Sequence, residues 1–148
     1  MSKKIKNYTS SVPVERTISL IEQELIKIGV SHIEKSYENG TPKGIIFSIM
    51  IPQKISFRIP ANIESAFEII KTIPEYKSKS KDWLKSQANR TAWRIVYNWV
   101  EIQVAMVQLK QADAMQVFLP YVYDNNLQQT FYDKISGNGF GLLLPENN

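Results

Sequence analysis

The chain has no cysteine and only one histidine, and this limits the chemistry that it can support. Without cysteine there can be no disulfide, no thiolate metal ligand and no cysteine nucleophile. His32 has no Asp or Ser at a spacing that predicts a catalytic triad, and the carboxylates form no evident acid–base pair or metal-binding box. We therefore expect a protein that is not an enzyme and that uses no cofactor or metal.

Long apolar runs are also missing. The longest, residues 45–51, is interrupted by Ser48 and is much shorter than the roughly 20 residues that span a bilayer. No apolar stretch follows Lys6, so no signal peptide is predicted. The composition, 43% hydrophobic and 22% charged, is typical of a globular protein. These features predict one intracellular domain over residues 1–148, with no membrane partner.

The charge is mildly positive and unevenly distributed. There are 18 basic and 14 acidic residues, a net charge of +4, which favours phosphate-bearing ligands without identifying one. We expect residues 1–9 to form a flexible basic arm and residues 73–81 to form a mobile loop. The alternative is that both clusters are simply solvated. The lysines concerned are Lys3, Lys4 and Lys6 in the arm and Lys71, Lys77, Lys79, Lys81 and Lys85 in and around the loop.

Apolar periodicity predicts an α+β fold. A spacing of four and three residues from Val14 to Ile28 predicts an N-terminal helix. Alternating residues and an Asn39-Gly40 turn then predict a three-stranded antiparallel meander, followed by a short helix with Asn62 as its N-cap. The pattern places helices on one face of a sheet. The strands are predicted at residues 31–38, 44–51 and 54–59, and the shorter helices at residues 63–71, 112–119 and 127–135.

One long central helix is predicted over residues 82–110, which contain no Pro or Gly. Because it carries two apolar stripes, it needs cover on two sides. We therefore expect a homodimer or higher homo-oligomer with this helix near the interface; the alternative is that C-terminal segments cover the second side. One stripe comprises Ala88, Ala92, Ile95, Trp99, Ile102, Met106 and Leu109, and the other comprises Trp93, Val96, Val100, Val104 and Val107.

A narrow polar stripe on the same helix is the best candidate site. Arg90 and Arg94 lie one turn apart and can hold one phosphate through forked, charge-assisted hydrogen bonds. Tyr97 or the neighbouring Trp93 can stack on a base, and the amide of Asn98 can read a base edge. The alternative is that the arginines form only surface ion pairs, which contribute about 0–1 kcal/mol.

A second phosphate contact is predicted at the end of the third strand. Arg58 lies just before the helix that begins after Asn62, and helix N-termini attract anions. The alternative is an exposed strand arginine with no ligand. The glycine-rich run at residues 137–141 lacks the Lys-Ser/Thr of a phosphate-binding loop, so we predict a turn there.

Several short segments together resemble a family of small phage and prophage proteins. They are Asn7-Tyr8-Thr9-Ser10, FRIPAN at 57–62, RTAWRIVYNWVEIQ at 90–103, VFLPY at 117–121 and GLLLP at 141–145. The resemblance spans nearly the whole chain and implies a role in the cytoplasm of a bacterial host. Small basic phage proteins include oligomers that sequester the cyclic nucleotide signals of bacterial immunity.

The leading hypothesis is therefore a non-enzymatic, oligomeric protein that binds and sequesters a small phosphorylated nucleotide to block antiviral immunity. A cyclic nucleotide or a cyclic ADP-ribose isomer fits that description. The alternative is a DNA- or RNA-binding accessory protein of phage replication or recombination, in which the basic arm, the Lys-rich loop and the tryptophans provide an electrostatic and stacking surface.

Overall fold

A three-stranded antiparallel sheet with helices on one face forms the body of the protein. The structure, a computed structural model, describes residues 4–146. The strands follow one another in the order β1-β2-β3, so the predicted α+β meander is confirmed. In chain order the elements are α1 Val14–Ile26, β1 His32–Glu38, β2 Thr41–Ile51, β3 Gln53–Pro60, α2 Ile63–Ile70, α3 Lys81–Gln108, α4 Ala114–Phe118, β4 Tyr123–Asp124, β5 Gln129–Thr130 and α5 Phe131–Gly137.

The core lies between the inner face of the sheet and the helices. Phe47 of β2 and Phe57 of β3 stack with their ring centroids 5.1 Å apart, and Phe118 of α4 meets both rings edge-on. All three rings are fully buried. On the opposite face, Ser48 and Ser56 form a cross-strand hydrogen bond of 2.9 Å. The strand alternation therefore sends Phe47 and Phe57 to the core face, and Ser48 and Ser56 to the other face, which Ile46 and Met50 share.

The long helix α3 begins at a capped N-terminus, where the Ser80 hydroxyl accepts a hydrogen bond from the backbone N–H of Trp83. Its 28 residues span about 42 Å at 1.5 Å per residue. The first predicted apolar stripe is buried near the N-terminus of α3 and exposed near its C-terminus. Ala88 and Ala92 are buried, whereas Ile102 is 60% exposed and Leu109 is 76% exposed. Heptad-spaced positions drift by about 20° per repeat around a straight helix, so one stripe cannot face the core throughout.

The second apolar stripe of α3 supplies its core contacts. Val100 and Val104 are fully buried. The C-terminal segments cover a neighbouring side, where Trp99 packs edge-on against Phe118 at 5.7 Å and Tyr121 at 5.4 Å. The C-terminal segments therefore cover one apolar side of α3, which is the alternative to an oligomer interface given in the sequence analysis. The side that carries Ile102 and Leu109 remains exposed, and the oligomer stays a prediction.

The C-terminal region differs from the expected helix at residues 127–135. A short β4–β5 hairpin precedes α5, and the Asp124 carboxylate accepts hydrogen bonds from the N–H groups of Asn126 and Leu127 to shape its turn. Helix α5 starts only at Phe131 because Thr130 and Asp133 form a reciprocal capping box. The side chains therefore stabilise a turn where periodicity predicted helix.

The part of the arm that the structure describes, residues 4–9, contacts the rest of the chain, and its flexibility stays a prediction. Residues 6–9 form a turn, and the segment lies against α3 and the loop before it. The Tyr76 hydroxyl donates to the carbonyl of Tyr8 across 3.1 Å. The loop predicted at residues 73–81 is anchored as well, since Ile73 is fully buried and a 3-10 turn forms at Pro74–Tyr76. Residues 1–3 of the arm lie outside the described residues.

Candidate functional site

The polar stripe of α3 holds the N-terminal segment. Gln87, which is only 3% exposed, donates from Nε2 to the carbonyl oxygens of Tyr8 at 2.7 Å and Ser10 at 2.9 Å. Arg90 donates from Nε to the same Ser10 oxygen at 3.3 Å and from Nη2 to the Gln87 side-chain oxygen. Two of the three guanidinium nitrogens of Arg90 are therefore engaged by the chain itself, although Arg90 also lines a cavity of about 220 Å³ between Pro13 and α3.

Asn98 is engaged in the same way. The backbone of Asn7 adopts a positive φ of 62°, and its Nδ2 donates to Oδ1 of Asn98 across 2.6 Å. The hydroxyl of Thr91, a fully buried residue, donates to the carbonyl of Asn7 at 3.1 Å. The amide that was predicted to read a base edge instead binds the arm.

Trp93 belongs to the core. Its side chain is 0% exposed, and its Nε1 donates to the carbonyl of Pro42 at 3.3 Å. A fully buried ring cannot stack on an incoming base, so the predicted ligand contact at Trp93 is wrong. Burial removes the apolar surface of the indole from water, and the indole N–H still has a hydrogen-bond acceptor in the Pro42 carbonyl.

Arg94 and Tyr97 form the part of the stripe that stays partly open. The guanidinium carbon of Arg94 lies 4.6 Å from the centroid of the Tyr97 ring. The Tyr97 hydroxyl donates to the Glu101 carboxylate at 2.8 Å, and this hydrogen bond raises the pKa of Tyr97. Nη1 of Arg94 is buried and has no hydrogen-bond partner within residues 4–146. The ion pairs considered as the alternative are not formed, since neither Arg90 nor Arg94 takes part in a salt bridge between described residues.

Arg58 lines a cavity that the sequence did not reveal. The cavity has a volume of about 320 Å³ and lies between the end of β3 and the segments around α5. The guanidinium of Arg58 lies 6.0 Å from the ring centroid of Tyr123, and Arg58 forms no salt bridge with another described residue. The other walls are formed by Pro60, Pro120, Tyr121, Thr130, Tyr132 and Asp133.

Asn62 does not join Arg58 in this cavity. It is the N-cap of α2, as predicted, and its Oδ1 accepts a hydrogen bond from the backbone N–H of Ser65 at 3.1 Å. That bond satisfies one of the free N–H groups at the start of α2. Asn62 does not line the cavity of Arg58, so the partnership between Arg58 and the start of α2 stays a prediction.

Lys4 of the arm lies against the lysine-rich segment that precedes α3. We call this surface the basic end; it comprises Lys4, Tyr8, Tyr76, Lys77, Lys79, Lys81 and Trp83. Lys4 forms a salt bridge of 2.6 Å with Glu75, which raises the pKa of Lys4 and lowers that of Glu75. The rings of Tyr8 and Tyr76 lie 6.2 Å apart, and those of Tyr76 and Trp83 lie 4.7 Å apart. An aromatic cluster thus joins the arm to the loop.

A larger cavity of about 520 Å³ lies between the β1–β2 turn, α2 and α3. Its charged residues are three glutamates and two lysines, so its lining is net negative by one charge. That balance disfavours a phosphate ligand. The charged residues are Glu38, Lys43, Glu64, Glu68 and Lys85.

The described residues contain neither of two further kinds of site. No helix within residues 4–146 combines the length and the hydrophobicity needed to cross a membrane. The same part of the chain holds no cluster of three or more His, Asp or Glu side chains placed to bind a metal ion. No protein-family model, curated protein or solved structure matches this chain significantly, so the resemblance to phage proteins stays a prediction.

Proposed function

We propose that this protein binds a small phosphorylated nucleotide in the cavity that Arg58 lines. The observation that carries the proposal is an arginine without an acidic partner at the wall of a cavity with two tyrosines, Tyr121 and Tyr132. A volume of about 320 Å³ falls at the lower end of the range for ligand sites, roughly 300–1,000 Å³. The site therefore suits a small ligand.

The chemistry of the cavity suits a ligand with a phosphate and a planar ring. Arginine presents planar, forked donors that match phosphate oxygens, and its charge persists at any physiological pH. Tyr132 is 51% exposed, which leaves much of its ring available to a base. The Asp133 carboxylate also lines the cavity, but it accepts a hydrogen bond from the backbone N–H of Thr130 at 3.0 Å and forms no salt bridge with Arg58.

Sequestration is the biological role that we propose for this binding. A protein that holds a signalling nucleotide without transforming it lowers the free concentration of the signal, and the resemblance to phage proteins suggests bacterial immunity as the setting. Arg94 and Tyr97 offer a second, partly exposed Arg–Tyr pair on α3. The cavity at Arg58 is favoured because its walls can contact a ligand from several sides, whereas the α3 pair lies on a helix surface.

A thermal-shift experiment tests the proposal. The panel contains cyclic dinucleotides, cyclic trinucleotides, cyclic ADP-ribose isomers and the corresponding mononucleotides. A ligand at 100 times its Kd adds about 2.7 kcal/mol to the free energy of unfolding. For a chain of this size that corresponds to a rise in Tm of roughly 5–10 °C. Arg58→Ala and Tyr132→Ala should each abolish most of the shift.

The matched control is Arg16→Ala, which removes an exposed arginine from α1, away from the cavity. It should leave the shift of the wild-type protein unchanged. If no compound in the panel raises Tm, or if Arg58→Ala retains the full shift, nucleotide binding in this cavity is refuted. A shift that is lost only in Arg94→Ala would move the site to α3.

A further inference from the structure

The basic end carries exposed positive charge with few acidic neighbours. Lys77, Lys79 and Lys81 are exposed and form no salt bridge with any residue in 4–146. The acidic residues of the same segment are Glu75, which is paired with Lys4, and Asp82 in the first turn of α3. Three free ammonium groups within five residues create a local positive potential that a polyanion would sense.

Trp83 lies among these charges with part of its ring exposed. The ammonium of Lys79 lies 4.8 Å from the Trp83 ring centroid, and the ring of Tyr76 meets Trp83 edge-on. The Tyr76 hydroxyl is in turn bound to the carbonyl of Tyr8 in the arm. This network holds the indole in place beside the lysines. A tryptophan fixed beside mobile cations has the properties of a stacking platform for a base with phosphates on either side.

From these contacts we infer that the basic end binds single-stranded nucleic acid. Trp83 stacks on a base, and Lys77, Lys79 and Lys81 contact phosphates on both sides of it. Lys79 is exposed, so it can leave the indole face when a base arrives and move to a phosphate. The inference goes beyond nucleotide binding at Arg58, because it uses none of the residues of that cavity.

The shape of the surface favours a strand over a mononucleotide. Trp83, Lys77, Lys79 and Lys81 line neither the cavity of Arg58 nor the larger cavity beside α2. An open surface gives a mononucleotide one stacking contact and little enclosure. An extended strand adds a phosphate contact with each further lysine, and each contact releases a counterion. Within residues 4–9 and 73–85 no large aliphatic side chain is strongly exposed for insertion into lipid, which favours nucleic acid over an anionic membrane.

The experiment measures fluorescence anisotropy of a labelled oligo(dT) of about 15 nucleotides, a length that fits a single-strand site. Binding should be evident at low salt and weaken steeply as salt rises. The slope of log K against log salt should be roughly −2, because each phosphate contact on a single strand contributes about −0.7. The triple variant Lys77→Ala, Lys79→Ala, Lys81→Ala should abolish binding at moderate salt and flatten the slope.

Substitutions of Trp83 distinguish the contribution of base stacking to the affinity from that of the lysine charges. Trp83→Ala should weaken binding by about tenfold or more and keep the salt slope, whereas Trp83→Phe retains an aromatic face and should restore most of the affinity. Circular dichroism confirms that each variant is folded. The charge control is Lys54→Ala with Lys110→Ala, two exposed lysines outside the basic end that should leave the affinity nearly unchanged.

The inference is overturned by no binding at low salt, by full binding of the triple variant, or by equal loss in the Lys54/Lys110 control. Vesicles with phosphatidylserine provide the membrane comparison, and binding to them that exceeds binding to oligo(dT) would also reject it. Arg58→Ala should bind oligo(dT) normally, so this inference and the proposed nucleotide site can fail independently.

Discussion

Trp93 shows how much a single side chain contributes to this fold. Its ring is 0% exposed and its indole N–H is bound to Pro42, the second residue of β2. Trp93→Ala should lower the free energy of unfolding by about 3–5 kcal/mol, because it opens a large cavity between α3 and the sheet. Urea denaturation measures the change.

Trp83→Ala is the matched control for that variant, since it makes the same chemical change at a partly exposed ring. Its effect on the free energy of unfolding should be clearly smaller than that of Trp93→Ala. Equal effects in the two variants would show that Trp93 is not the core residue that its burial indicates.

The spacing of the arginines can be read from the sequence, but their hydrogen-bond partners and surroundings cannot. Arg90 and Arg94 have the spacing of a phosphate clamp, yet Arg90 binds a carbonyl that lies 80 positions earlier in the chain. No local pattern contains that partner. Arg58 was predicted as a phosphate contact, but the cavity around it is built by residues 60–75 positions later, which only the fold brings together.

At the scale of elements, α3 holds the N-terminal arm through side-chain hydrogen bonds. Gln87 is the central link, since its amide holds two carbonyls of the arm. Gln87→Leu keeps the approximate volume but removes these two hydrogen bonds and the one that Gln87 accepts from Arg90, so the free energy of unfolding should fall by about 1–3 kcal/mol. Hydrogen exchange followed by mass spectrometry should show faster exchange in residues 5–10, while the C-terminal half of α3 keeps its protection.

Gln23→Leu, an exposed glutamine on α1, is the matched control for this element. It should change neither the stability nor the exchange of the arm appreciably. If Gln87→Leu leaves exchange in residues 5–10 unchanged, the arm is held by its other contacts, chiefly those of Thr91 and Asn98.

Elements with strong periodicity could be predicted from the sequence, and those set by side-chain turns could not. The meander follows from alternation and an Asn-Gly turn, and α3 follows from a long segment without Pro or Gly. The β4–β5 hairpin has only two residues per strand, so it offers no alternation to detect. Its turn depends on Asp124 and on Gln128 at a φ of 52°.

At the scale of the whole molecule, the exposed side of α3 predicts self-association. Ile102 and Leu109 lie two turns apart on one face, and apolar residues at this spacing match a second copy of the same helix. The wild-type protein should form a dimer that the double variant Ile102→Glu, Leu109→Glu converts to a monomer. Sedimentation velocity at several protein concentrations measures both states.

Leu142→Glu with Leu144→Glu is the control, because these leucines are exposed to a similar degree, 73% and 65%, in the C-terminal segment. That variant should stay dimeric. A wild-type protein that is monomeric at every concentration would contradict the predicted oligomer. A monomeric Leu142/Leu144 variant would instead place the contact at the C-terminal segment.

The docked arm has a consequence for how the protein is made. The arm leaves the ribosome before its partners, which lie far downstream: Glu75 follows Lys4 by 71 residues, and Asn98 follows Asn7 by 91. At a translation rate of about 5–20 residues per second, the arm waits roughly 5–20 seconds before its binding surface exists. The arm is thus synthesised well before the contacts that hold it can form.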